Sequence, residues 1–104
     1  MSGSRDGLAL DRLIHEPTRL AILTVLSSTK DADFVFLQRT LSLTNGNLSS
    51  HLTKLEDAGL VTIEKSFVGK RPNTSLALTA SGRKRTKAHW EQLDRLKRLA
   101  VPPS

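Results

Sequence analysis

The segment SLTNGNLSSHLTKLEDAGL, which runs from Ser42 to Leu60, contains the start, the buried face and the end of one helix. Thr44 is a good N-cap, because its hydroxyl can accept a hydrogen bond from a free amide of the first turn. Gly59 is suited to the left-handed position just after a helix, where Leu60 would pack against Leu55 in a Schellman cap. A leucine row at helical spacing predicts the buried side: Leu48, Leu52 and Leu55.

Helical signals also lie on the N-terminal side of this segment. Pro17 disfavours helical geometry at Glu16, so a short first helix is expected to stop near His15 and a second to open at Pro17. The polar residues 29–33 indicate a loop. Apolar residues at helical spacing then predict a third helix: Phe34, Leu37 and Leu41. The brief turn at residues 42–44 makes the third and fourth helices a helix-turn-helix.

After Gly59 the hydrophobic period changes from helical to alternating. Val61, Ile63 and Phe67 predict the inward side of one strand, residues 69–73 a turn, and residues 75–78 the second strand of a single hairpin. A long helix follows from Thr79 to about Ala100. We therefore predict a mainly α protein with a small β-hairpin, a winged helix-turn-helix. Its one domain spans residues 8–100, with a dimerisation helix at about 80–100, between a flexible N-terminus (1–7) and a tail (101–104).

Basic residues are concentrated in the C-terminal part of the chain. The 104 residues carry 16 basic and 10 acidic side chains, a net charge of +6. Residues 1–64 hold six basic and eight acidic residues, whereas residues 65–104 hold ten basic and two acidic ones. Such asymmetry indicates nucleic acid or an anionic membrane surface. No apolar run approaches the roughly 18–20 residues of a membrane span, so no membrane partner is expected.

Several function classes are disfavoured. Cysteine is absent, which excludes disulfides, cysteine catalysis and thiolate metal sites. His15, His51 and His89 are 36 and 38 residues apart, so no pair has the helical spacing of a metal site. Ser50 and His51 are adjacent and point apart on a helix. We expect no enzyme activity, no metal and no cofactor. Residues 1–11 contain no apolar signal region, so a cytoplasmic location is expected.

The side of the fourth helix opposite the leucine row is polar and rich in amides. Asparagine can read adenine edges, hydroxyl groups can serve bases or phosphates, and lysine suits phosphate or guanine. The candidate DNA-reading residues are Thr44, Asn45, Asn47, Ser50, His51, Thr53 and Lys54. His51 borders the predicted core, so packing, a phosphate contact and a contact with a neighbouring helix all stay open for it.

Two groups of cations lie beyond this helix. The hairpin carries the first group as wing candidates: Lys65, Lys70 and Arg71. The second group opens the last helix, where the helix dipole disfavours cations. A phosphate contact, an acidic neighbour and a plain solvated face remain alternatives for it. The candidates for phosphate contacts in this second group are Arg83, Lys84 and Arg85, and Arg39 of the third helix is a further candidate.

The last helix carries an apolar face that a domain of this size does not fully cover. A second copy of the chain would cover it, and the first helix would add its own leucines. The predicted homodimer interface consists of Leu8, Leu10, Leu13, Trp90, Leu93, Leu96 and Ala100.

Four stretches resemble the small stand-alone winged-helix transcriptional regulators of the MarR/ArsR type. The family's recognition helix is matched by Thr44–Leu52 together with Lys54–Val61. The opening of its second helix is matched by Pro17–Leu23. The family's wing is matched by Phe67–Thr74, and its connection into the last helix is matched by Leu78–Arg83. The match covers roughly residues 10–90. The resemblance implies a homodimer that binds operator DNA, with the first and last helices as its interface. The chain departs from metal-sensing members, which use cysteine or clustered histidine and acidic ligands.

The favoured interpretation is a sequence-specific, double-stranded DNA-binding transcriptional regulator that acts as a homodimer on a pseudo-palindromic operator. Two alternatives stay open: a winged-helix protein-interaction module and a non-specific architectural DNA binder. Lysine is depleted in protein interface cores, which weighs against the first. The amide-rich helix face weighs against the second. The sequence names no small-molecule effector.

Overall fold

The computed structural model describes residues 11–100, which form five helices and a three-stranded antiparallel sheet. In chain order, the elements are α1 (Arg12–His15), α2 (Pro17–Ser27), β1 (Ala32–Asp33), α3 (Phe34–Leu41), α4 (Asn45–Asp57), β2 (Val61–Val68), β3 (Arg71–Leu78) and α5 (Ala80–Ala100). The arrangement is a winged helix-turn-helix, as predicted. Leu8, Leu10, the flexible N-terminus and the tail of the sequence prediction lie outside the described residues.

The core is a single apolar cluster beneath α4. All three leucines of the predicted row are buried, together with residues of α2, α3 and the sheet. Its fully buried members, at 0% exposure, are Ile14, Ile22, Leu23, Leu26, Leu37, Leu48, Leu55, Leu60 and Leu76. Since α4 buries its apolar side in this cluster, its polar side faces solvent.

Both ends of α4 follow the sequence prediction. The hydroxyl oxygen of Thr44 accepts a hydrogen bond from the Asn47 amide at 3.1 Å. At the other end Gly59 has a φ of 77°, the left-handed region that glycine adopts without steric cost. The Leu60 amide donates to the Leu55 carbonyl at 3.0 Å and the Gly59 amide to the Glu56 carbonyl at 2.9 Å. These are the two hydrogen bonds of a Schellman cap.

The end of α4 is joined directly to the start of α5. Thr79 caps α5 by accepting from the Gly82 amide at 2.9 Å, and its hydroxyl donates to the Gly59 carbonyl at 2.7 Å. The Thr79 amide donates to the Leu60 carbonyl at 3.0 Å. Gly82 lies against that carbonyl so closely that a Cβ there would overlap the oxygen. The direction of α5 is thereby coupled to that of α4.

The sheet corrects three sequence predictions. Residues 32–33, predicted as loop, form the edge strand β1, where Ala32 pairs with Leu76 and Asp33 with Ser75. The strand order is β1-β3-β2, so the hairpin is one part of a three-stranded sheet. The hairpin turn is also shorter than predicted: Val68 pairs with Arg71, which leaves only Gly69 and Lys70 in the loop. Gly69 has a φ of 65°, which permits this two-residue connection.

Phe67 differs from its predicted inward position. It lies on the same strand face as Val61 and Ile63, yet 71% of its surface is exposed. Val61 is buried and Ile63 is half-buried. The alternation was therefore right, but the hairpin extends beyond the helices that form the core.

Among residues 11–100, no helix is long and apolar enough to cross a membrane.

Candidate DNA interface

The polar side of α4 forms an open surface. Apart from the half-buried His51, every predicted reading residue of this helix and its cap is exposed: Thr44, Asn45, Asn47, Ser50, Thr53 and Lys54. The Thr53 hydroxyl donates to the Ser49 carbonyl at 2.9 Å, which leaves its oxygen as an acceptor. An exposed helix carrying amide and hydroxyl groups has the dimensions and the donors and acceptors to read the major groove of B-DNA.

The wing lies beside this helix. The three wing candidates, Lys65, Lys70 and Arg71, are all exposed. Lys65 pairs with Thr74 in the hairpin. Both residues border a groove of about 520 Å³ that also contacts Asn45, Ser49 and Thr53 of α4. The wing and the polar side of α4 therefore form one continuous surface with positive charge at its outer edge.

The position of His51 is decided by a neighbouring helix. Its Nδ1 lies 3.2 Å from a guanidinium nitrogen of Arg19 and 3.9 Å from a carboxylate oxygen of Glu16. Arg19 also donates through Nε to the Leu13 carbonyl at 2.7 Å, and its amide donates to Glu16 at 2.8 Å. A side chain at the corner between α1 and α2 thus reaches the middle of α4. The contact with a neighbouring helix, which the sequence left open, is therefore made by Arg19, a partner that no local signal identifies because the two residues are 32 positions apart.

The basic run at the start of α5 is divided between intramolecular partners and solvent. Arg83 donates to the carbonyls of Ser27 and Thr29 at 3.3 and 3.0 Å. Arg85 donates through two nitrogens to Asp11, the shorter contact being 2.6 Å. The acidic neighbour that the sequence left as an alternative is therefore Asp11. Lys84 is exposed, as is Arg39 in the last turn of α3.

Asp11 and two histidines attach α1 to α5. Asp11 caps α1 by accepting from the amides of Leu13 and Ile14, besides its contact with Arg85. His15 Nδ1 lies 3.2 Å from Nε2 of His89, which is only 2% exposed. Burial lowers the pKa of His89, the nearby His15 lowers it further, and Asp11 opposes them. Of the three histidines, His15 and His89 therefore form a pair, and His51 lies apart from them. Residues 11–100 contain no cluster of three or more metal-binding side chains.

The predicted dimer residues of α5 differ in their surroundings. The Trp90 indole donates to the Thr24 hydroxyl at 3.1 Å, so its ring is held against α2, although the side chain stays 46% exposed. Leu93 and Leu96 are half-buried, as is Leu13 of α1. Leu99, next to this row, is 77% exposed. The C-terminal half of α5 therefore keeps an accessible apolar side.

Comparison with known proteins gives consistent matches. Residues 18–97 match the family described as "Winged helix DNA-binding domain". The chain is 36% identical over 72 residues to an uncharacterized protein, MJ0432, of Methanocaldococcus jannaschii, covering 69% of this chain and 78% of that protein. It resembles the solved structure of a transcriptional regulator homologue from Pyrococcus horikoshii, with a TM-score of 0.80, 33% identity, and coverage of 88% and 91% of the two chains.

A more distant match is the transcriptional repressor CouR, solved bound to a 23-mer DNA duplex. The TM-score is 0.70 at 23% identity, with coverage of 86% of this chain and 66% of that chain. At this level of identity the match shows a shared fold. The match to the regulator homologue, at 33% identity, agrees with the resemblance of the sequence to winged-helix transcriptional regulators.

Proposed function

This chain belongs to the winged helix DNA-binding domain family, and from that premise we propose that it is a homodimeric regulator of transcription that binds a pseudo-palindromic site in duplex DNA. The observation that carries the proposal is the exposed polar side of α4, which lies opposite a buried leucine row and is bordered by a basic wing. The regulator homologue from Pyrococcus horikoshii, similar over nearly the full length of both chains, supports the regulatory role.

In this proposal the two parts of the surface have different tasks. Asn45, Asn47, Ser50 and Thr53 read base edges in the major groove, because their neutral donors and acceptors can distinguish base pairs. Lys54, Lys70 and Arg71 contact phosphates, which strengthens binding to every sequence. Arg39 and Lys84 are exposed and remain further candidates for phosphate contacts. Arg83 and Arg85 are weaker candidates because both already have partners within the chain.

The proposed dimer uses the accessible side of α5 together with α1. Leu13, Leu93 and Leu96 are each half-buried in the single chain, so a second copy would remove more of their surface from water. Trp90 would contribute the part of its surface that stays exposed in the single chain. Two α4 helices related by a twofold axis would enter successive major grooves about 34–36 Å apart, which is why the site should be a pseudo-palindrome.

Selection from a random pool of DNA duplexes, combined with the mass of the protein in solution, tests the proposal. We expect enrichment of a two-half-site motif and a mass of two chains. Binding that shows no preference for any sequence would indicate an architectural role. Absence of binding to any duplex at low salt would contradict DNA binding altogether and would favour a protein partner.

A further inference from the structure

The outer part of the wing, residues 65–74, exposes apolar side chains that the core does not use. Phe67 is 71% exposed and the adjacent Val68 is 67% exposed. Phe67 pairs across the hairpin with Pro72, so the two side chains lie next to each other on one face. A wing that served only as a carrier of positive charge would need neither of them. Adjacent exposed apolar residues at the end of a projecting hairpin mark an interaction surface.

The Phe67–Pro72 pair lies on a defined face of the wing. Side chains alternate along a strand, so Phe67 shares its face with Val61, Ile63 and Lys65. Val61 is buried in the core, and Ile63 and Lys65 line the groove against α3 and α4. The face that packs on the helices near the core therefore continues outward to Phe67. Val68 occupies the opposite face of the same tip.

The charges around the pair define the partner. Residues 65–74 contain three cations, Lys65, Lys70 and Arg71, and no acidic residue. An apolar pair within a group of cations fits a polyanion that also offers an apolar surface. The minor groove of duplex DNA has this composition, because its walls are deoxyribose rings and its rims are phosphates.

We propose that Phe67 and Pro72 form an apolar wedge that enters the minor groove of duplex DNA beside the major groove occupied by α4. Phe67 packs against the deoxyribose walls, while Lys70 and Arg71 contact the phosphates on the two rims. This inference rests on the proposed function, since it assumes that α4 and the wing face the same duplex. It assigns to the wing an uncharged contribution to DNA affinity in addition to its electrostatic one.

Salt titrations with a 30-base-pair duplex pool of random sequence separate the two contributions. Phe67→Ser should weaken binding roughly tenfold or more, as loss of a buried aromatic side chain implies. The slope of log affinity against log salt should stay at the wild-type value, because no cation is lost. Phe67→Leu should recover much of the affinity. Val68→Ser is the matched control, equally exposed but on the other face, and should bind within about twofold of wild type.

The groove itself is tested with a duplex in which inosine replaces guanine. This removes only the amino group that guanine places in the minor groove. Wild type should bind the inosine duplex more tightly than the guanine duplex, and Phe67→Ser should bind the two duplexes nearly equally. Urea unfolding of each variant checks that the hairpin substitutions leave the fold intact.

Three results would overturn the wedge. They are equal losses for Phe67→Ser and Val68→Ser, an inosine effect that persists in Phe67→Ser, and a change in solution mass for Phe67→Ser, which would place the side chain at a protein contact. Failure of the proposed function is a different result, because wild type itself would then not bind the random duplex even at low salt.

Discussion

The guanidinium of Arg19 in α2 lies 3.2 Å from Nδ1 of His51 in the middle of α4. Arginine has donors and no acceptor, so Nδ1 of His51 must accept this hydrogen bond. A neutral His51 therefore carries its proton on Nε2. The same Arg19 side chain donates to the Leu13 carbonyl at the end of α1. One cation thus links α4 to the corner between α1 and α2.

We predict that Arg19→Met lowers the free energy of unfolding by about 1–2 kcal/mol, because two hydrogen bonds from a charged donor are lost. Urea unfolding followed by circular dichroism measures this. Imidazole nitrogen chemical shifts of His51 at pH 8 should show the Nε2–H tautomer in wild type and a mixture in the variant. His51→Gln is the matched substitution, since its amide oxygen can still accept from Arg19, and it should cost less than His51→Ala. An unchanged tautomer in Arg19→Met would show that Arg19 does not set it.

Asn47→Ala should reduce DNA specificity at a single position of the selected site. Asn47 is exposed in the first turn of α4, where its amide can bond to a base edge. The variant should lose about 1–3 kcal/mol of binding free energy on the site that carries the preferred base pair. On a site in which that base pair is altered, the variant and wild type should bind almost equally. Fluorescence anisotropy with the site and its single-base variants measures the effect. A uniform loss over all duplexes would assign Asn47 to the backbone instead.

Lys70→Ala should weaken binding to all sequences and reduce the salt slope by about one unit, because one phosphate contact is lost. Lys70 is exposed in the two-residue hairpin turn. Lys97→Ala is the control. Lys97 lies in the last turn of α5, about 22 Å along the helix from Gly82 at 1.5 Å per residue. Equal slope changes in both variants would mean that the effect follows net charge and not a wing contact.

Gly82→Ala should destabilise the fold although alanine favours helices. A Cβ at position 82 would overlap the Leu60 carbonyl and approach the Leu78 side chain at 3.2 Å. We expect a loss of about 1–3 kcal/mol, as for overpacked core positions. Gly46→Ala is the control within a helix, because nothing lies within 4 Å of its added Cβ. That substitution should be neutral or stabilise by roughly 0.4–1 kcal/mol. Comparable unfolding midpoints for the two variants would rule out the close contact at Gly82.

Stability should decrease as the pH falls below about 6.5, partly through His89. Burial and the neighbouring His15 lower the pKa of His89 in the folded chain from its ordinary value of 6.5. Below pH 6.5 the unfolded chain therefore takes up a proton that the folded chain resists, and the free energy of unfolding falls. Above pH 6.5 this contribution is fully present. His89→Gln should reduce the loss of stability between pH 7 and pH 5, as measured by urea unfolding. If His89→Gln loses as much unfolding free energy between pH 7 and pH 5 as wild type does, His89 is not the source of the pH dependence.

The features of α4 that sequence reasoning predicted correctly are local ones. Thr44 caps an amide three residues away, and the Schellman cap closes between Leu55 and Leu60. Hydrogen bonds over three to five residues depend on the side chains within the segment and on the freedom of Gly59, so the sequence carries them completely. The exposed polar side follows from the same periodicity, because burial of the leucine row leaves the other side to solvent.

The features that only the tertiary structure decided join distant parts of the chain. β1 has two residues and no periodicity of its own, and it exists because Ala32 and Asp33 pair with β3. Phe67 has the correct parity for a core residue, yet the helices end before they reach it. Arg85 donates to Asp11, which is 74 positions away in the chain, and His51 contacts Arg19, which is 32 positions away. The sequence alone thus determined a winged helix in which the fourth helix exposes a polar side, since helix caps and hydrophobic periods act locally. Only the tertiary structure decided which cations have partners within the chain and which apolar side chains stay exposed. Both depend on how far the core extends, and the packing of the whole chain determines that extent.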